Sequence, residues 1–185
     1  MKLLQNRAFA WILAGLMILA AILGLGGMKL RSARQDAVTA FFTGKDGFSP
    51  YDDLINRREY AYNLINIAEG TGLKDSALYA AAKQAWDQLD AAETPEAYYD
   101  ANQALQPAIE ELYAELTSLD LENKSRVAAD KQYSNFIGRM SNLRYDDYYN
   151  DLALEYNKIC KAFPAKFIAM VTGNGPLPTF REENV

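Results

Sequence analysis

Apolar residues fill the first part of the chain without a break and afterwards return at helical intervals. The run from Ala8 to Met28 (AFAWILAGLMILAAILGLGGM) holds no charge and lies between Arg7 and the cluster Lys29, Arg31 and Arg34. At about 1.5 Å per residue its 21 residues reach roughly 32 Å, against a hydrocarbon core of roughly 30 Å, so the pattern predicts a transmembrane helix. A cleaved signal peptide shares the basic start and apolar middle, with Gly24 and Gly26 as small residues before a cut. The run is long for that role, however, and no A-x-A is present. Ala20 and Gly24 have the spacing that lets two spans pack closely, a feature common in spans generally. With the amino terminus counted, Lys2 and Arg7 before the run give that flank a positive charge similar to the basic cluster after it, so the charges do not fix its orientation.

Beyond the run, no segment alternates apolar and polar residues as a half-buried strand would. The first helix is expected to continue to Phe41 or Phe42 and to stop at Thr43-Gly44-Lys45-Asp46-Gly47. Ser49 as N-cap, Pro50 in the first turn and Asp52 with Asp53 behind it start a second helix running to about Glu69. A third, from about Asp75 to Ala92, carries Leu78, Ala82, Ala85, Trp86 and Leu89 on one side. Thr94 and Pro95 open a fourth, whose seam Leu105, Ile109, Leu112, Leu116, Leu119 has bundle spacing. Pro107 predicts a kink there or a late start. A last long helix from near Ser125 to before Pro164 presents Tyr145, Tyr149, Leu152, Tyr156, Ile159 and Phe163 as its seam, with Asn150 and Asn157 placed to bond the tyrosine hydroxyls. From Gly173 the chain is too rich in Gly and Pro to stay helical; Phe180 is expected to anchor this tail and Arg181 to Val185 to fray.

The expected fold is therefore all-α: a transmembrane helix followed by an antiparallel up-and-down bundle of about four helices. Residues 1–7 form a short flank, 8–28 the span, 29–172 the bundle and 173–185 an irregular tail. Roughly 150 residues after the span suit one domain.

Composition narrows the chemistry. The sequence has no histidine, which removes Ser-His-Asp and Cys-His catalysis, histidine-ligated metal and the usual switch near neutral pH. Its single cysteine, Cys160, has no intrachain partner and reads as a small hydrophobe on a helix face. After Met28 the chain carries 17 Lys and Arg against 24 Asp and Glu, a net charge of 17 − 24 = −7, which argues against a nucleic-acid or anionic-lipid partner for that region as a whole. The basic triplet beside the span suits headgroup contact.

Tyr149-Asn150 and Tyr156-Asn157, then Phe163-Pro164, Ile168-Ala169, Gly173 and Phe180, resemble the C-terminal signature of the LemA family in order and spacing. Arg57 followed by Asn63-Leu64-Ile65 and Gly70 is similar to its central motif. This chain departs from the family pattern in three places. Tyr62 stands where a proline usually precedes the central asparagine, no Glu-Asn-Arg block is recognisable around Met140 to Leu143, and the tryptophan-bearing stretch before the central motif is missing. The resemblance is that of a divergent member. It implies a helical bundle on a membrane anchor and brings no catalytic activity, cofactor or substrate.

Four adjacent carboxylate pairs, Asp52-Asp53, Glu110-Glu111, Asp146-Asp147 and Glu182-Glu183, are candidates for acid–base or cation chemistry. Neighbours on a helix point about 100° apart, so these pairs read as solvated faces. No phosphate-cradling or nucleophile-elbow motif occurs. Arg57 and Asn63, six residues apart, lie about 120° apart on a helix and fit a buried bond between helices. The expected function is non-catalytic: a scaffold at the cell envelope with no cofactor or metal, bound to the membrane and to another membrane or envelope protein, or to a second copy of itself. The alternative is a ligand-binding or enzymatic bundle with a tyrosine-lined pocket closed by the tail from Gly173 to Phe180.

Overall fold

The long apolar helix α1 runs from Arg7 to Thr43 without interruption, and Trp11, Leu16, Met17 and Leu25 on it are exposed. It is long and apolar enough to cross a membrane. This computed structural model describes residues 7–181; Lys2 and the rest of the first six residues, the pair Glu182-Glu183 and the end of the tail lie outside the described residues. Helix α1 stops where expected. Gly44 has φ +60°, and a Cβ there would stand 1.6 Å from the Phe48 carbonyl oxygen, so this position admits glycine alone.

The described residues hold six further helices: α2 (Pro50–Gly70), α3 (Ala77–Asp90), α4 (Pro95–Ser118), α5 (Asn123–Tyr145), α6 (Asp147–Lys161) and α7 (Ala165–Thr172). Among them there is no strand, and the all-α expectation holds. Ser49 caps α2 as predicted: its Oγ accepts from the Asp52 backbone N–H at 3.1 Å and donates to the Asp52 carboxylate at 2.7 Å. Helix α3 begins two residues later than the pattern suggested. Leu73–Asp75 forms a single 3-10 turn, and Ser76 then caps α3 by accepting from the Tyr79 N–H. Thr94 caps α4.

The α4 seam is buried at Leu105, Ile109, Leu112 and Leu116, while Leu119 forms the half-buried C-cap. Helix α4 starts at Pro95 and continues through Pro107, so the late start does not occur. Pro107 and Gln103, whose carbonyl loses its helical donor to the proline, are both exposed, so the interruption falls on the solvent side of the helix.

The largest departure from expectation lies at the end of the chain. The last long helix is two helices, broken at Asp146 (ψ 85°). Asp146 accepts from the Tyr149 N–H at 2.9 Å, starting α6. The Asn150 side-chain amide donates to the carbonyls of Leu143 and Asp146 at 3.0 and 2.7 Å, supplying a donor to Leu143 at the end of α5, while the Asp146 carbonyl also accepts the Asn150 backbone N–H at the start of α6. The predicted seam is accordingly displaced. Tyr149 and Tyr156 are buried, but their companions are Ala153 and Cys160. Ile159 is exposed and Leu152 half-buried. Tyr145 is 81 % exposed at the break and Phe163 is 92 % exposed, because α6 ends at Lys161 and the helical phase does not reach it.

The chain divides into two compact units. One comprises residues 7–38 with Leu152–Leu177; the other comprises Thr39–Asp151 with residues 178–181. The second unit contains the bundle proper. There α2 packs against α5 and α3, and α3 packs against α4. Its apolar interior is built from Leu54, Leu64, Leu89, Leu105, Ile109 and Phe136, all of which are buried.

Candidate functional site

Arg57 sits in the interior of the bundle unit, fully buried on α2 among the aliphatic residues. Each nitrogen of its guanidinium donates: Nε to Asn102 Oδ1 at 2.8 Å, Nη1 to the Phe136 carbonyl at 2.7 Å and Nη2 to Gln106 Oε1. The guanidinium carbon also lies 3.9 Å from the centre of the Phe136 ring, a cation–π contact. All three acceptors are neutral. The nearest help from a carboxylate comes through Gln106, whose amide donates to Glu110. Burial pushes Arg57 down to about 9, with the Glu110 charge opposing that shift and Arg144 adding to it. The group is a cationic staple joining α2, α4 and α5.

Asn63 does not join it. It is exposed and donates to Gln132 Oε1 on α5 at 3.3 Å, so the expected buried bond holds for Arg57 and fails for Asn63. The six-residue spacing leaves them on different faces of α2.

Helix α6 and the tail form two clasps, one in each unit. In the bundle unit Tyr149 donates its hydroxyl to the Pro178 carbonyl at 2.7 Å, and Asn150 Oδ1 accepts from the Phe180 N–H at 2.9 Å. Phe180 is buried there against Phe41, Tyr99 and Tyr149. In the other unit Tyr156 donates to the Asn174 carbonyl at 2.9 Å, and Asn157 both donates to the Leu177 carbonyl and accepts from the Leu177 N–H. The asparagines therefore bind the tail backbone and not the tyrosine hydroxyls. With helix and strand ladders unavailable to a Pro-rich segment, these side chains satisfy its buried backbone groups. Gly173 caps α7 in the left-handed conformation (φ 68°), and Pro164 precedes α7 with its carbonyl accepting from Phe167 and Ile168.

The sequence pattern of the LemA family matches residues 52–185, well over half of the chain. The chain belongs to the LemA family. No curated protein and no solved structure matches it.

In this LemA-family chain Glu110 and Glu111 are exposed as expected, whereas members of the other two described carboxylate pairs hold neighbouring elements. Asp53 forms an ion pair with Arg139 at 3.0 Å and also accepts from Asn142, which corrects its reading as a solvated face. Asp146 is the half-buried cap of α6; burial raises its pKa, while its bond from the Tyr149 N–H opposes that shift. Asp147 and Asp151 hold Arg181. Among the described residues no group of three potential ligands gathers as a metal site.

Two hollows bear on function. In the first unit, one of about 470 Å³ is lined by Cys160, Ala169, Met170 and Pro176, with no tyrosine on its wall. In the bundle unit, a groove of about 430 Å³ beside the α5–α6 break is lined by Phe48, Tyr145, Tyr148, Asp146, Asp147 and Lys45. Phe48 is 78 % exposed, and both tyrosines are open to solvent.

Sequence reasoning missed Asn102 and Phe48, and placed Tyr145 on a buried seam. Asn102 was detectable, because continuing the α4 seam backwards from Leu105 by three residues lands on it, a polar residue at a core position. Phe48, in a turn between helices, gives no periodic signal.

Proposed function

We propose that this chain is a single-pass protein of the cell membrane, anchored by α1, that acts without catalysis as a scaffold for another membrane or envelope protein. The bundle lies on one face of the membrane and docks its partner at the groove of Phe48, Tyr145 and Tyr148. That groove carries the reading. Aromatic side chains are enriched at protein interfaces, and three of them stand exposed around one concavity of the bundle unit. The pocket reading has less support: Tyr149 and Tyr156 direct their hydroxyls to tail carbonyls, and Arg57 has its donors engaged within the core.

The test is a photo-crosslinking residue at position 145, activated in native membranes. The proposal expects a crosslinked species heavier than the monomer, absent when the same probe replaces exposed Val127 on α5. A species of twice the monomer mass makes the partner a second copy of this chain. Recovery of the free monomer alone, under conditions that capture known complexes, refutes the scaffold.

A further inference from the structure

Where the apolar run of α1 gives way to basic residues, the helix forms one wall of a hollow of about 520 Å³. Gly24, Gly27, Arg31 and Arg34 line it and follow one another at intervals of 3, 4 and 3, so they share one face of α1. The glycines leave the floor open: a Cβ at Gly24 would meet nothing within 4 Å, and one at Gly27 only Thr172 and Ile168 at 3.8 and 3.9 Å. The opposite wall is the end of α7. There the Thr172 hydroxyl donates to the Ile168 carbonyl and accepts from the Asn174 amide at 2.7 Å, which holds both polar groups in place.

Helix α7 is seated against α1 at the same level. Ile168 is buried, and its Cδ1 occupies the space beside Gly26, where a Cβ would stand 2.5 Å away. Phe167, Met170 and Val171 face outward on α7, with Lys166 beside them. An apolar helix face next to the end of a span is the arrangement of an interfacial helix lying at the acyl–headgroup boundary. Along α1, Arg31 and Arg34 lie about 4.5 and 9 Å beyond Met28, the depth of the headgroup layer outside a hydrocarbon core of roughly 30 Å.

We propose that this hollow binds the phosphodiester headgroup of an anionic phospholipid, with the phosphate between Arg31 and Arg34, Thr172 and Asn174 on its far side, and an acyl chain over Gly24 and Gly27. Guanidinium groups suit a phosphate oxygen pair, and their stems reach along the helix toward the interface. The small-residue floor accepts a chain where a larger side chain would exclude it. The site rests on the reading of α1 as a membrane span.

The full-length protein, purified in neutral detergent, is titrated with phosphatidylglycerol or phosphatidylcholine and read by native mass spectrometry. Wild type is expected to retain phosphatidylglycerol preferentially. Arg31→Gln/Arg34→Gln should lose that preference by on the order of 30-fold, whereas Lys29→Gln, whose charge lies off the wall, should keep most of it. Gly24→Leu, whose Cβ meets nothing within 4 Å, covers the floor and should weaken lipid retention with both arginines in place. Unchanged circular dichroism and melting establish that each variant is folded. Equal retention of both lipids by wild type, or equal losses in the double variant and Lys29→Gln, overturns the proposal. Complete displacement by glycerol 3-phosphate also overturns it, assigning the hollow to a soluble phosphate ester. Alkaline extraction of native membranes separates the two claims: wild type released by carbonate refutes the span, while protein that stays integral but shows no lipid preference refutes only the headgroup site.

Discussion

Replacing Asn102 by leucine removes the acceptor of Arg57 Nε and keeps the branched four-atom outline of the side chain, while leaving that charged donor in the apolar interior with no bond. Hydrogen bonds to charged groups contribute about 1.5–3 kcal/mol, and an orphaned buried donor adds its desolvation penalty, so Asn102→Leu should cost on the order of 3 kcal/mol. Arg57→Met behaves differently. It removes the buried charge itself, and of its acceptors Gln106 is half-buried and able to turn toward water, while the Phe136 carbonyl lies within α5. Only Asn102 Oδ1 is left without a donor, and relief of the buried charge offsets part of that loss, for a net of about 0–2 kcal/mol. The double variant Arg57→Met/Asn102→Leu has neither orphan. It should therefore be more stable than Asn102→Leu alone, a coupling of roughly 1–3 kcal/mol readable from urea melts of the four proteins. Additive losses would refute the assignment of Arg57 as a cation held by neutral dipoles.

The tyrosine clasp predicts that Tyr156→Ala costs on the order of 3–5 kcal/mol, by analogy with Phe→Ala in cores, and Tyr156→Phe about 1 kcal/mol for the bond to Asn174. Tyr148→Ala, in the exposed groove, should melt close to wild type; equal melting temperatures for Tyr148→Ala and Tyr156→Ala would contradict the burial of α6. Asp146 has a raised folded pKa, so its ionisation destabilises the fold as pH rises through that value, and the penalty is absent below the unfolded pKa. Asp146→Asn keeps the cap without the charge. It should equal or exceed wild type in melting temperature at pH 7 and lose that advantage at pH 3, while Asp146→Ala should lose about 1 kcal/mol of cap energy at either pH. A chain beginning at Lys29 keeps Leu30, Ala37, Ala40 and Phe41 and should be soluble and helical, whereas one beginning at Ser49 lacks those buried residues and should aggregate. Comparable solution behaviour of the two would show that this part of α1 is dispensable for folding.

Helix starts were legible because their signals are local. Ser49-Pro50 and Thr94-Pro95 cap their own next turn, and the α4 seam is carried by large aliphatic residues at regular intervals. The break at Asp146 was not, because neither glycine nor proline marks it; the Asn150 side-chain amide takes the Leu143 carbonyl there, while the Asp146 carbonyl opens the ladder of α6 by accepting from the Asn150 backbone N–H. The seam of α6 was misread for a related reason. Ile159 and Leu152 are larger than Cys160 and Ala153, but the buried side of the helix takes the small pair. The family motif was visible as a motif, yet the work of its Tyr-Asn pairs is done on a tail with no periodicity of its own.

The central claim, that the aromatic groove of a membrane-anchored bundle holds a partner, is tested most directly by Phe48→Ala/Tyr145→Ala. Both side chains are largely exposed, so the double variant should keep the wild-type melting temperature and membrane retention. In mild detergent extracts of native membranes, wild type should run as a complex heavier than its own monomer, and the variant should run as the monomer. A variant that retains the full complex mass would contradict the account.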